Sequence, residues 1–303
     1  MPLHPQAAAH LAAIAGAAPV HAGSVAEARR AGRGYLDLQR RAPDVDHVRH
    51  TYVIGPGSSL PVRVYRDGPP GGPVILMLHG SGFVIADIEV SDEPARLLAL
   101  ATGFTVVTVD YRKAPENPYP AAIDDAAAVL EWIASGALDV DPERIAVVGD
   151  SAGGTLAAAL VQRVRDRGGP AVAAHALLYP SLRRHSPASN LADDEVSLSA
   201  RDVTWFWDHY LGAGSTPEGA QPLDATDFSG LPAAFVATAE YDVLRGDGEE
   251  YAAALRAAGA AVEYRDYPGT LHGFYWMDAV LDAATDLQRD LAFWLRATLN
   301  GAR

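Results

Sequence analysis

Short, almost wholly apolar runs recur along the chain at 74–78, 105–109, 145–148, 173–178 and 235–239, and a strand-like segment follows at 262–267. Runs of this length and composition suit strands that are buried on both faces. Between them lie longer stretches with the pattern of helices, the alanine-rich 154–167 among them. The alternation of strand and helix predicts an α/β protein, with a mostly parallel sheet and helices on both sides of it. Segments 48–54 and 61–65 read as an antiparallel pair at the leading edge of that sheet. Two stretches stand outside the alternation. One is the N-terminal region 3–41, in which 7–20 reads as an alanine-rich helix ended by Pro19. The other is 183–222, which contains a helix over 200–211. No internal repeat or low-complexity tract appears.

The run at 145–148 leads into Gly149-Asp150-Ser151-Ala152-Gly153 and then into a helix. This is the G-x-S-x-G pattern set on a strand-to-helix turn. A serine there is held in a strained backbone conformation with its hydroxyl raised above the sheet, and the flanking glycines avoid clashes. The N-terminus of the following helix adds amide groups and a positive dipole end. Ser151 is the candidate nucleophile.

A serine nucleophile needs a base, and the base needs an orienting acid. In hydrolases with this elbow they follow in the order serine, acid, histidine. His272 follows the segment 262–267, and Asp242 follows 235–239, so both fall just past strand ends on the edge where Ser151 emerges. Ligands bind along that edge in open α/β sheets. Asp242 is also placed to cap a helix beginning near Leu244, and Glu240 and Asp247 compete for the acid role. The run at 74–78 ends in His79-Gly80-Ser81-Gly82-Phe83, where esterases place oxyanion donors. The amide of Ala152, directly after the nucleophile, is the other candidate donor.

Taken together, these blocks resemble the hormone-sensitive-lipase family of α/β-hydrolases, in its bacterial carboxylesterase branch. His79-Gly80-Ser81-Gly82-Phe83 resembles the HGGGF loop. Tyr111-Arg112-Lys113-Ala114-Pro115-Glu116, with Pro118, Pro120 and Asp124-Asp125, is similar to YRLAPE…P…DD. Gly149 to Gly154 reads GDSAGG, Tyr241 to Arg245 resembles the D-x-L-R acid loop, and His272-Gly273-Phe274 the HGF loop. The resemblance implies an α/β-hydrolase core in two parts, 46–182 and 223–303. It also implies a helical cap built from 1–45 and from an insertion at 183–222. It implies a Ser151–Asp242–His272 triad and an oxyanion hole made by the amides of Ser81, Gly82 and Ala152. The implied activity is serine carboxylesterase action on small to medium acyl esters through an acyl-enzyme, with no cofactor and no metal. The same triad would serve an amidase, a lactonase or an acyltransferase on a natural product, and a non-catalytic binding protein on this fold is a further alternative.

One position departs from the family pattern. Ser81 stands where the loop has its middle glycine, and a Cβ resists backbone angles that glycine accepts. Ser81 must adopt an allowed conformation or carry strain, while its hydroxyl is free to add a donor or shape the pocket. Activity is expected to be retained.

Other residues take supporting roles. Asp150 braces the elbow, His79 and Gly80 belong to the oxyanion loop, and Arg112 and Glu116 anchor the loop after Asp110 behind the site. Asp124 and Asp125 fall at a helix start, where carboxylates favour the dipole. In the helix 200–211, Trp205, Phe206, Trp207 and Tyr210 pack the cap onto the sheet, and one or two of them line the substrate pocket together with Phe83 and Phe274. Leu191 to Glu195 form an acidic surface loop.

The formal charge of −14 argues against nucleic acid and anionic membrane surfaces as partners. The chain has no cysteine, so no disulfide framework and no thiolate metal site can form. The first residues lack the basic region of a signal peptide and no run is long enough to span a bilayer, so a cytoplasmic location is expected. A small-molecule ester is the expected partner; the oligomeric state is left open, a homodimer among the options.

Overall fold

A computed structural model describes residues 2–186, 191, 192, 195–212, 214 and 216–301. Eight strands form one sheet: β1 (His47–Ile54), β2 (Ser59–Arg66), β3 (Val74–Leu78), β4 (Thr105–Val109), β5 (Ile145–Asp150), β6 (Ala174–Leu178), β7 (Ala233–Tyr241) and β8 (Val262–Leu271). Their order across the sheet is β1-β2-β4-β3-β5-β6-β7-β8. β1 and β2 pair antiparallel, as does β2 with β4, and every later pairing is parallel. The protein is an α/β-hydrolase fold.

Along β3 the side chains alternate between two cores, as the pleat requires. Val74, Leu76 and Leu78 join one cluster with residues of α4 (Ala121–Ala134), α5 (Ala152–Arg167) and α7 (Arg245–Ala257). Ile75 and Met77 join the other, built with α3 (Asp92–Thr102) and α8 (Asp282–Gly301). All five β3 residues are buried, which explains the unbroken apolar run. Cutting any one of the fully buried leucines to alanine would cost about 2–5 kcal/mol.

Two expectations need correction. The N-terminal helix α1 spans Pro5–Ile14 and stops well before residue 20. Gly16 turns left-handed at φ +87°, and Val20–Ala22 form a separate 3-10 turn after Pro19. The second correction is length: β7 and β8 run beyond 239 and 267, carrying the pair as far as Tyr241 opposite Leu271 across an irregularity in register. Pro268 and Gly269 hid that extension in the sequence. They are tolerated because β8 is an edge strand, where a missing N–H costs no ladder bond, and Gly269 donates its own N–H to Glu240 Oε2 at 2.7 Å.

The helix α6 (Ala200–Leu211) matches the expected span. It begins in a capping box between Ser199 and Asp202, and Asp202 also accepts from the His21 backbone N–H at 2.8 Å. The 3-10 turn at Val20–Ala22 thus packs against the start of α6. Two residues of the expected acidic loop, Asp193 and Asp194, lie outside the described residues.

Candidate active site

Ser151 sits between the last residue of β5 and the first of α5, at φ +51° and ψ −120°. A side chain at positive φ is rare and strained unless its surroundings hold it there. Here they do: Ser151 N–H donates to Leu178 O on the neighbouring strand at 2.9 Å, and Ser151 O accepts from Thr155 N–H at 3.1 Å. The elbow also needs glycine at 153, where a Cβ would stand 1.9 Å from Leu78 O.

His272 follows β8 directly, and Asp242 follows β7. The Ser151 hydroxyl lies 2.9 Å from His272 Nε2, and His272 Nδ1 lies 2.7 Å from Asp242 Oδ2. A carboxylate only accepts, so the imidazole carries its proton on Nδ1 and presents a lone pair to the serine. Asp242 is buried, and its second oxygen, Oδ1, accepts from Leu244 N–H at 2.9 Å. Edge-on against the imidazole stands the buried Tyr179 ring, with centroids 5.0 Å apart. The competing acids are engaged elsewhere. Asp247 accepts from Leu182 N–H at 2.9 Å and pairs with Arg183, and Glu240 holds Gly269.

The loop after β3 closes the other side. Gly80 N–H donates to Asp150 Oδ1 at 2.8 Å, tying this loop to the elbow. Gly82 and Phe83 occupy the left-handed region at φ +51° and +65°, whereas Ser81 does not. The substitution at 81 therefore carries no left-handed strain. Glycine is required at 82 for a second reason, since a Cβ would lie 2.3 Å from the Phe206 ring. Among the described residues, the backbone amides of Ser81, Gly82 and Ala152 have no hydrogen-bond acceptor, and all three residues line the cleft above Ser151.

The cleft has a volume of about 720 Å³ including its mouth. Of the expected pocket aromatics, Phe83, Phe206 and Trp207 line it and Trp205, Tyr210 and Phe274 do not. Tyr210, one turn further along α6, stacks on Phe83 with centroids 3.8 Å apart. Trp205 packs against His209, and Phe274 lies between Tyr179 and Tyr267. Sequence reasoning missed Val20 and Tyr35 from the N-terminal segment, and Ser181, Ser197 and Trp276. Trp276 could have been found from its place three residues after Gly273. The others carry no local signal, because tertiary packing alone brings them over the sheet.

Arg112 and Glu116 do not line the cleft. Arg112 forms a two-pronged ion pair with the buried Asp125, at 2.7 Å for its shortest contact. Glu116 pairs with Arg29 at 2.6 Å, and Arg29 also donates to Val84 O and Ala114 O. Asp125 thus answers to an arginine rather than to a helix dipole alone, and Asp124 pairs with Arg163. His79 is buried, stacks on Tyr111 at 4.6 Å and contacts Gly80 O through Nδ1. Burial first, and Lys113 second, hold its pKa well below the ordinary histidine value, so it stays neutral.

Burial pushes the Asp150 carboxyl up to about 7, against the opposing pull of the Gly80 N–H and His272. Unfolded, the same group releases its proton near its ordinary value of 3.8. Between those two pH values the folded chain binds more protons than the unfolded chain, so this group makes stability fall as pH rises through that window. Asp150→Asn keeps an oxygen for Gly80 and removes the titration. Its melting temperature is expected to decline less than that of the wild type between about pH 5 and pH 8. Equal declines in thermal melts at the two pH values would contradict the assignment.

Comparison with known proteins shows the family. Residues 75–276 match a family described by its alpha/beta hydrolase fold. An esterase of Mycobacterium tuberculosis, LipI, is 39% identical over 82% of this chain and 81% of its own length. An ethyl acetate hydrolase of Pseudomonas putida is 33% identical over 94% of this chain and 96% of its own. Among solved structures, a hyperthermophilic esterase from the archaeon Pyrobaculum calidifontis superposes with a TM-score of 0.91 at 32% identity, covering 98% of this chain and 99% of that one. The chain belongs to the hormone-sensitive-lipase family of α/β-hydrolases.

Proposed function

We propose that the protein is a serine carboxylesterase acting on small to medium acyl esters. The observation that carries this reading is the hydrogen-bonded line Ser151–His272–Asp242 beside unpaired backbone amides. Ser151 attacks the ester carbonyl while His272 takes its proton at Nε2. Asp242 holds the tautomer and stabilises the imidazolium that forms. The amides of Ser81, Gly82 and Ala152 meet the oxyanion, each such donor being worth about 10²–10³ in turnover. The imidazolium returns its proton to the leaving alcohol. Water, deprotonated by the same histidine, then releases the acid and frees Ser151.

The cleft walls support a neutral substrate. Among the described residues no lysine or arginine lines it, and the one acidic residue there, Asp150, is buried with an oxygen engaged by Gly80. Segments 1–45 and 183–222 act as a cap in this reading, the first contributing Val20 and Tyr35 and the second Phe206 and Trp207. The absence of cysteine suits a cytoplasmic setting. No helix among the described residues is long and apolar enough to cross a membrane.

Hydrolysis of p-nitrophenyl esters from acetate to palmitate tests the proposal. A short-chain optimum that depends on the Ser151 hydroxyl is expected; an inert, folded protein would refute it. Phe206 lines the cleft without being among its most deeply buried side chains, so Phe206→Ala is expected to move the optimum toward longer acyl chains. An unchanged profile would remove Phe206 from the acyl wall.

A further inference from the structure

The Ser81 hydroxyl sits in a chain of hydrogen bonds whose direction follows from donor counting. Phe83 N–H donates to Ser81 Oγ at 2.9 Å. Tyr111 Oη lies 2.6 Å from His79 O, which can only accept, so the phenol proton is committed there. Ser81 Oγ and Tyr111 Oη are 2.6 Å apart, and the only proton left for that contact is the serine's. The relay therefore runs from Phe83 N–H to Ser81 hydroxyl, to Tyr111 hydroxyl, to His79 carbonyl. Both side chains are buried, so water does not compete for these groups. Tyr111 is held in turn by the His79 ring stacked on it and by the Lys113 ammonium 3.9 Å from its centre.

We propose that the Ser81–Tyr111 relay positions the oxyanion loop, taking up the Phe83 amide and the His79 carbonyl so that the intervening Ser81 and Gly82 amides stay free for the oxyanion. The inference rests on the esterase reading above. A glycine at position 81 could not do this, since it brings no hydroxyl to either partner. The loop needs such a restraint because Phe83, which has a side chain, stands at φ +65°. Tyr210 stacked on Phe83 restrains the side chain of that residue, and the relay restrains its backbone. Ser81 and Tyr111 are positioning residues: they act on the reaction through the amides they orient.

The test is a double-mutant cycle with Ser81→Ala and Tyr111→Phe, measured on p-nitrophenyl acetate. Each single variant is expected to lose about tenfold in kcat with KM within about twofold, because loop order counts chiefly in the transition state. Affinity for a trifluoromethyl ketone, which forms a stable oxyanion adduct, should fall by the same factor. The double variant should lose no more than the worse single, since both break one chain. An unchanged kcat in either single variant, or losses that multiply, would overturn the relay. A protein inert on every ester would instead refute the esterase reading. Hydrogen exchange at the Phe83 amide would still decide the relay in that case: protection in the wild type that is lost in Ser81→Ala supports it, and equal exchange overturns it.

Discussion

Ser151→Ala is expected to lower kcat on p-nitrophenyl acetate by about 10⁶, with the protein still folded. The size follows from what alanine removes. Among the described residues the hydroxyl hydrogen-bonded to His272 Nε2 is that of Ser151, at 2.9 Å, and without a nucleophile the imidazole has nothing to activate but water. What remains is substrate binding and the oxyanion donors, which sustain about 10³–10⁴ over the uncatalysed rate in comparable sites. Stability should respond in a separate direction. Position 151 stays at φ +51° in the alanine variant, so the strain persists and the melting temperature should move little. Ser151→Gly relieves that strain while removing the same hydroxyl, and should be as inactive but more stable, within the roughly 1–3 kcal/mol that such conformations cost. A Ser151→Ala variant retaining more than about one per cent of wild-type kcat would sink the assignment of Ser151 as nucleophile. A glycine variant no more stable than the alanine one would instead show that the elbow stores no strain.

The parts of this protein that were legible in its sequence are those whose physics is local. β3 and β4 fall on the expected residues because a strand buried on both faces must be apolar throughout. Punctuation at strand ends marks Ser151, Asp242 and His272 as candidates, and the geometry brings all three into one hydrogen-bonded line. The sequence overstates the N-terminal helix because alanine is apolar and helix-forming on either side of Gly16, and the composition gives no stop signal there beyond that glycine. The sequence understates β8 because Pro268-Gly269 punctuates any strand that is not at an edge, and edge position is a property of the whole sheet. Arg112 reads as an anchor of the loop after Asp110, but the partner that holds it, Asp125, lies thirteen residues on inside a helix and is not named by the local pattern. The cleft wall was the least legible feature. Tyr35 and Val20 reach the cleft wall only through the packing of the N-terminal segment against α6, to which His21 and Asp202 contribute.

Asp242→Asn is expected to cost about 10⁴ in kcat at neutral pH, a loss set by tautomer rather than by charge alone. Asp242 uses its two oxygens on two different donors: Oδ1 on Leu244 N–H at 2.9 Å and Oδ2 on His272 Nδ1 at 2.7 Å. Asparagine offers one oxygen and one NH₂ group in the same place. The backbone amide of Leu244 is a fixed donor, so the asparagine oxygen must face it and the NH₂ must face the imidazole. Nδ1 then has to accept, which moves the ring proton to Nε2, the atom that should take the proton of Ser151. The reverse orientation restores the correct tautomer but sets NH₂ against N–H in a buried site, at a cost of about 1–3 kcal/mol for the unsatisfied donor. A factor of ten corresponds to about 1.4 kcal/mol, so this cost accounts for roughly 5- to 150-fold of the loss, and the rest comes from removing the negative charge that stabilises the imidazolium. The variant should therefore bind substrate with little change in KM and melt close to the wild type, while turning over far more slowly. Steady-state kinetics at pH 7 on Asp242→Asn, with Asp247→Asn and Glu240→Gln as comparisons, decides which acid is in play. A loss under about tenfold for Asp242→Asn, or an equal loss for either comparison variant, would move the acid's role away from Asp242.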